Sequence, residues 1–254
     1  MTTEKKKKKK LSRAGKIILD VIMIAALGVA GFSGYKLYKE TEKYRVAQAS
    51  YKDLRKDVLV EAEGDKKVID WDALHAVNED IGLWITMPGS TIDYPVIYQN
   101  DNEFYLRHLP DGTWNEAGTV FVDMNNGRDI CDANTVLYGH HMLDDPLMFA
   151  ELENFKDADY AADHKEIHIY SPEHEWIMYP VGGFVTTGYD DYVKVKFATA
   201  EDYQAYIDSL MERNIVESDV SLTKDDKMML LSTCSYDVYD GRWVLFGKIE
   251  QLPD

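Results

Sequence analysis

Between residues 83 and 250 the chain breaks repeatedly into short runs rich in apolar, β-branched and aromatic residues, separated by turn-forming residues. The runs are 83–87, 94–98, 119–122, 135–138, 166–170, 175–181 with a continuation to 187, 228–233 and 242–250. Pro88-Gly89-Ser90 marks the turn between the first two. Many short strands at modest spacing hide their unpaired edges by closing into a barrel or stacking as a sandwich. The pattern therefore specifies a mainly β domain of one of those kinds, not a layered parallel sheet. Two helices interrupt the series. One begins at Pro146-Leu147-Met148, with proline in its first turn. The other runs from about Ala200 to Arg213, capped by Thr199, with Tyr203, Tyr206, Ile207 and Leu210 on one face.

Charge divides the chain sharply. Residues 1–16 carry a net of +7, which leaves −24 on the remainder of a chain whose total is −17. A strongly acidic body repels phosphate, so nucleic acid is not an expected partner. Residues 17–35 then contain a single charge, Asp20. As a helix rising ~1.5 Å per residue they reach roughly 28 Å, close to the hydrocarbon core of a bilayer. Bases ahead of the span orient the N-terminus toward the cytoplasm and the body outward. Ala47-Gln48-Ala49 offers a competing reading as a signal-peptide cleavage site, but it lies beyond a charged stretch and far from the apolar run. The spacing of Ala26, Ala30 and Gly34 would also suit close helix packing, although small residues are common in membrane spans.

The expected organisation is a basic cytoplasmic tail at 1–16, an uncleaved anchor in the cytoplasmic membrane at 17–35, and an extracytoplasmic helical stalk or linker at 36–69. In the stalk, Leu37, Tyr44, Ala47, Tyr51, Leu54 and Val58 have amphipathic spacing, and a polar break follows at 61–67. The compact domain is expected at 70–254, opening with a short helix at Trp71 capped by Asp70.

Leu230-Leu231-Ser232-Thr233-Cys234 ends an apolar run in a cysteine, and Arg242 opens the next run eight residues later. Adjacent strands would bring both to one end of a sheet. The thiolate is the reactive form of cysteine and a nearby cation favours it. A guanidinium stays charged and can hold an oxygen on which negative charge develops. An exported protein with two cysteines invites a disulfide. Cys131, however, sits in the polar loop 125–132, whereas Cys234 ends a strand, so Cys234 reads as a free nucleophile and Cys131 as incidental. A thiol nucleophile works with a histidine remote in sequence. Of seven, His140 follows Thr135-Val136-Leu137-Tyr138-Gly139 and so stands at a strand end, as Cys234 does. His141 is its immediate rival, with a side chain pointing elsewhere if the backbone stays extended. His168 lies inside an alternating strand and reads as structural; His75, His108, His164 and His174 read as surface or packing residues.

Thr135-Val136-Leu137-Tyr138-Gly139-His140, Leu231-Ser232-Thr233-Cys234 and the following Arg242 resemble the sortases, membrane-anchored cysteine transpeptidases of Gram-positive bacteria. The resemblance covers roughly residues 70 to 250. The helix at 201–207, and Gly139-His140-His141-Met142 leading into Met148-Phe149, resemble class B. The resemblance implies an eight-stranded β-barrel with a few peripheral helices. It implies that Cys234 attacks the threonine carbonyl in a C-terminal sorting motif of an exported protein, forming a thioester. His140 would protonate the departing amine and then deprotonate the amine of a peptidoglycan precursor that resolves the thioester. Arg242 would hold the substrate backbone and the oxyanion. Ser232, Tyr192 and Leu106 would contribute to the substrate groove. No metal or other cofactor is implied, and the acidic pairs Asp144-Asp145, Asp190-Asp191 and Asp225-Asp226 lack a calcium-loop pattern.

Other readings stay open. A membrane-tethered thiol hydrolase would use the same residues, because water and an amine attack the same thioester. A non-catalytic surface module would leave Cys234 without a role. Within transpeptidation, wall anchoring competes with pilus assembly; the absence of a lid motif at 61–67 points to anchoring. Asp237 and Asp240 read as loop solvation as readily as partners of the site.

Overall fold

The computed structural model describes residues 12–60, 67–142 and 147–253. The lysine run, most of the polar break at 61–67, and Asp144-Asp145 with Pro146 lie outside the described residues. The chain forms two compact units, Met1–Arg45 and Val46–Asp254.

The first helix, α1 (Arg13–Val58), includes an 18-residue window of mean hydropathy 2.1 with none of it buried, long and apolar enough to cross a membrane. In the second unit, β1 (Leu59–Val60) pairs antiparallel with β2 (Val68–Ile69), and α2 (Trp71–Val77) follows. Asp70 caps α2 by accepting from the Ala73 N–H, as its sequence position suggests. Then come β3 (Ile81–Thr86), β4 (Asp93–Ile97), a 3-10 turn Phe104–Leu106, β5 (Val120–Val122) and β6 (Asn134–Tyr138). A 3-10 helix Ala150–Lys156 leads into α3 (Ala158–Asp163), β7 (Ile167–Tyr170), β8 (Glu175–Thr187), α4 (Ala200–Met211), β9 (Lys227–Ser235) and β10 (Gly241–Gln251). The eight strands β3 to β10 close into a barrel in the order β10-β8-β7-β3-β4-β5-β6-β9. Closure pairs every strand on both sides and leaves no open edge.

Helix α4 forms where its pattern puts it. Thr199 Oγ1 accepts from the Asp202 N–H, and Tyr203, Tyr206, Ile207 and Leu210 are buried against Val136, Leu230, Val244 and Phe246. That helix covers one face of the β6–β9–β10 part of the barrel. The face matters because it also carries the candidate site.

Two features differ from the sequence expectation. The short helix is 3-10 and starts at Ala150, because the Phe149 N–H donates to the His140 carbonyl at 2.9 Å and Met148 pairs with His141 as an isolated bridge. The preceding residues are thus tied across to the end of β6 before the helix turns. The second difference is at the stalk. The compact unit starts at Val46 instead of residue 70, and Ala47, Tyr51 and Val58 are at most 1% exposed. The Tyr51 hydroxyl donates to the Gly118 carbonyl at 2.6 Å, and Val58 joins Ile69, Leu74, Ile81 and Trp84 in one cluster. Apolar spacing that reads as a stalk is, from Val46 onward, a docking stripe.

Candidate active site

β6 and β9 run parallel with Tyr138 opposite Ser232, and the Gly139 N–H donates to the Ser232 carbonyl at 3.1 Å, extending the ladder past the end of β6. On the other side of β9, Arg242 of β10 pairs directly with Cys234. His140, Cys234 and Arg242 therefore stand at matching positions of three neighbouring chain segments. Side chains alternate along a strand, so Ser232 and Cys234 share a face with Leu230, as Arg242 does with Val244 and Phe246. This is the face that α4 covers farther along the strands.

Each candidate side chain has a defined setting. Both cysteines are free thiols, Cys131 exposed and Cys234 half-buried. Burial pushes the Cys234 thiol above its ordinary pKa; Arg242 opposes that shift and Asp240 reinforces it. His140 Nε2 lies 2.7 Å from the Leu106 carbonyl. Burial lowers the His140 pKa; the bond to Leu106 resists this, while Arg107 and Arg242 add to it. Both shifts favour the uncharged forms, imidazole for His140 and thiol for Cys234. Arg242 Nη1 donates to Asp240 Oδ1 and to the Gly241 carbonyl, both at 2.9 Å. Asp240 adopts φ 49°, a left-handed turn conformation that aspartate tolerates better than most residues.

Ser232 and Tyr192 meet through their hydroxyl oxygens at 2.7 Å, and the Tyr192 carbonyl accepts from the Tyr206 hydroxyl of α4. Leu106 enters through its carbonyl, bonded to His140, while its side chain packs partly buried against the Trp84 cluster. The adjoining Tyr138 hydroxyl donates to Asp123, and burial, reinforced by that carboxylate, raises its pKa strongly. Clefts of about 330 and 350 Å³ elsewhere on the unit include none of Cys234, His140 or Arg242.

The rival histidine is differently engaged. His141 Nδ1 lies 3.0 Å from the Cys234 carbonyl and 3.2 Å from Glu153 Oε2. Asp237 and Asp240 are more than loop solvation: Asp237 accepts from Lys156 and Asp240 from Arg242. Sequence reasoning missed Glu153 and the Leu106 carbonyl. The first sits in an ordinary acidic helix and the second is a backbone atom, so neither carries a sequence signal.

A family model described as the sortase domain matches residues 85–250. Sortase B of Staphylococcus aureus is 28% identical over 238 residues, spanning 92% of this chain and 97% of the relative. Clostridium perfringens sortase B superposes with a TM-score of 0.68 at 29% identity, covering 71% of this chain and 100% of that one. A Staphylococcus aureus sortase B–substrate complex gives a TM-score of 0.73 at 26% identity, covering 84% of this chain and 100% of that one. The barrel, its helices and these relatives agree: the chain belongs to the sortase family, as a class B-like cysteine transpeptidase.

Proposed function

We propose that Cys234 is the nucleophile, His140 the proton shuttle and Arg242 the oxyanion-stabilising cation of a transpeptidase that anchors exported proteins to peptidoglycan. The supporting observation is the register of three neighbouring segments, with Arg242 directly opposite Cys234 and the β6 ladder continuing to Gly139, next to His140.

The chemistry follows from the protonation states. Cys234 Sγ attacks the threonine carbonyl of the sorting motif as its proton passes to His140. An imidazole that donates from Nε2 to the Leu106 carbonyl receives that proton on Nδ1. Negative charge collects on the carbonyl oxygen, where the Arg242 guanidinium, anchored through Nη1 by Asp240, stabilises it. The C–N bond breaks, the departing amine takes the proton from His140, and an acyl thioester remains on Cys234. A peptidoglycan-precursor amine then attacks the thioester and gives its extra proton to His140. Collapse expels the thiolate, which recovers that proton. Ser232, Tyr192 and the segment at Leu106 form the walls along which the motif lies. Residues 17–35 hold the enzyme in the cytoplasmic membrane with its N-terminus inside, which keeps the site at the surface where exported cargo emerges.

The test is product analysis by mass spectrometry of the full chain in detergent, incubated with a library of threonine-containing sorting-motif peptides, with and without triglycine. Joined product with triglycine supports transpeptidation onto a peptide amine. Free acid alone, at an undiminished rate, would make the enzyme a hydrolase and overturn the transfer step.

A further inference from the structure

The parallel ladder between β6 and β9 has one more rung than the backbone supplies. After the Gly139 N–H to the Ser232 carbonyl, the next acceptor in line is the carbonyl of Cys234. That carbonyl takes its hydrogen bond from a side chain, His141 Nδ1, at 3.0 Å. The same nitrogen faces Glu153 Oε2 at 3.2 Å. The other carboxylate oxygen of Glu153 accepts from Ser235 Oγ at 2.6 Å and from Lys156 Nζ at 2.5 Å, and Lys156 also bonds Asp237. Three points around the nucleophile, at residues 234, 235 and 237, are thereby tied to the 3-10 helix Ala150–Lys156. Lys156 also lies over the Trp243 ring at 5.3 Å, and Trp243 is the neighbour of Arg242 along β10.

We propose that His141 and Glu153 are a positioning pair, which fixes the Cys234 peptide against the end of β6 and so sets the separation of thiol and His140 imidazole. The inference rests on the catalytic assignment above. Three observations carry it. His141 and Glu153 side chains are 13% and 19% exposed, so their contact escapes most solvent screening. The His141 ring is held edge-on by Tyr236 at 5.2 Å, and the Tyr236 hydroxyl donates to the His141 carbonyl. His140 is the adjacent residue, so a clamp on His141 is also a clamp on the shuttle. With Nδ1–H donating to both acceptors, the work of His141 is geometric.

The experiment measures kcat and KM of the full chain in detergent, with triglycine and the best peptide of the library above. Wild type is compared with His141→Leu, His141→Asn and Glu153→Leu. The pair predicts a fall in kcat of about tenfold to a hundredfold for both leucine variants, with KM within about twofold, because misplacement by an ångström costs on that order. Asparagine places its Nδ2 donor where imidazole carries Nδ1, so His141→Asn should recover kcat to within about threefold of wild type. Unchanged kcat in either leucine variant, a loss confined to KM, or a folded His141→Asn as slow as His141→Leu would overturn the pairing. If His141→Leu fails to fold, His141→Asn and Glu153→Leu decide by the same criteria. Wild-type turnover without a Cys234 adduct would instead strike the catalytic assignment and take the pair down with it.

Discussion

Tyr51 offers a clean perturbation of how the body of this sortase is braced. Its side chain is 1% exposed, its hydroxyl donates to the Gly118 carbonyl at 2.6 Å, and its ring meets Tyr94 edge-on at 5.2 Å. Tyr51→Phe keeps the ring and removes the donor from a buried carbonyl, which costs about 1–3 kcal/mol. Tyr51→Ala also empties the ring site, adding about 3–5 kcal/mol, a large share of the roughly 5–15 kcal/mol that holds a domain folded. Phenylalanine is therefore the informative change. Guanidinium unfolding of residues 46–254, followed by tryptophan fluorescence, should show a lower midpoint with an unchanged slope. The effect should reach the site as well. Gly118 has φ 62°, and a Cβ there would lie 2.6 Å from the Tyr105 carbonyl oxygen and 2.8 Å from that of Leu106, the atom that holds His140 Nε2. Loosening Gly118 thus loosens the support of the imidazole, and kcat should fall along with stability. Stability losses below about 0.5 kcal/mol for phenylalanine and about 1.5 kcal/mol for alanine would refute the docking of this helix.

Four further perturbations probe the site. Arg242→Lys keeps a charge but not the planar guanidinium, whose Nη1 bonds Asp240 and Gly241 and whose other N–H groups can point at a developing oxyanion, so kcat should fall about 10²- to 10³-fold; activity within threefold of wild type would contradict the role of Arg242. The pH profile of kcat/KM should be a bell whose acid limb, from His140, lies lower than that of a free imidazole and whose alkaline limb, from Cys234, lies higher than that of a free thiol. Asp240→Asn removes an anion that disfavours the thiolate, so the upper limb should move to lower pH while the lower limb stays; an upward move would contradict the assignment. Gly139→Ala would set a Cβ 2.7 Å from the ring of fully buried Phe149, an overpacking that should cost about 1–3 kcal/mol by chemical denaturation and slow turnover through the shifted end of β6; an unchanged midpoint would contradict the packing.

Much of the barrel was legible because its strands are short, β-rich and punctuated, and because α4 carries both a cap and a four-residue apolar face. Thr199, Tyr203, Tyr206, Ile207 and Leu210 occupy the roles their spacing suggests. The docked part of α1 was not legible, since Tyr51 and Val58 have a spacing equally suited to a free amphipathic stalk, and only tertiary contact distinguishes the two. The segment before the 3-10 helix differs from its expectation because proline in a first turn signals a helix, whereas the backbone bridge of Met148 to His141 carries no residue-type signal. Among candidate residues, Cys234 and Arg242 could be set side by side on strand logic alone. The separate engagements of His140 and His141 could not, because they depend on the carbonyls of Leu106 and Cys234, and backbone atoms leave no mark in a sequence. Asp240 was visible only as an acid in a turn; its left-handed conformation and its bond to Arg242 are set by the tertiary structure.

The most direct measurement is to quench the reaction with acid during the first turnover, digest the protein, and locate the acyl group by peptide mapping. The peptide fragment, ending in threonine, should be found on Cys234 and none on Cys131, with no adduct in Cys234→Ala despite an unchanged fold. Acylation at another residue, or turnover that persists in Cys234→Ala, would contradict it.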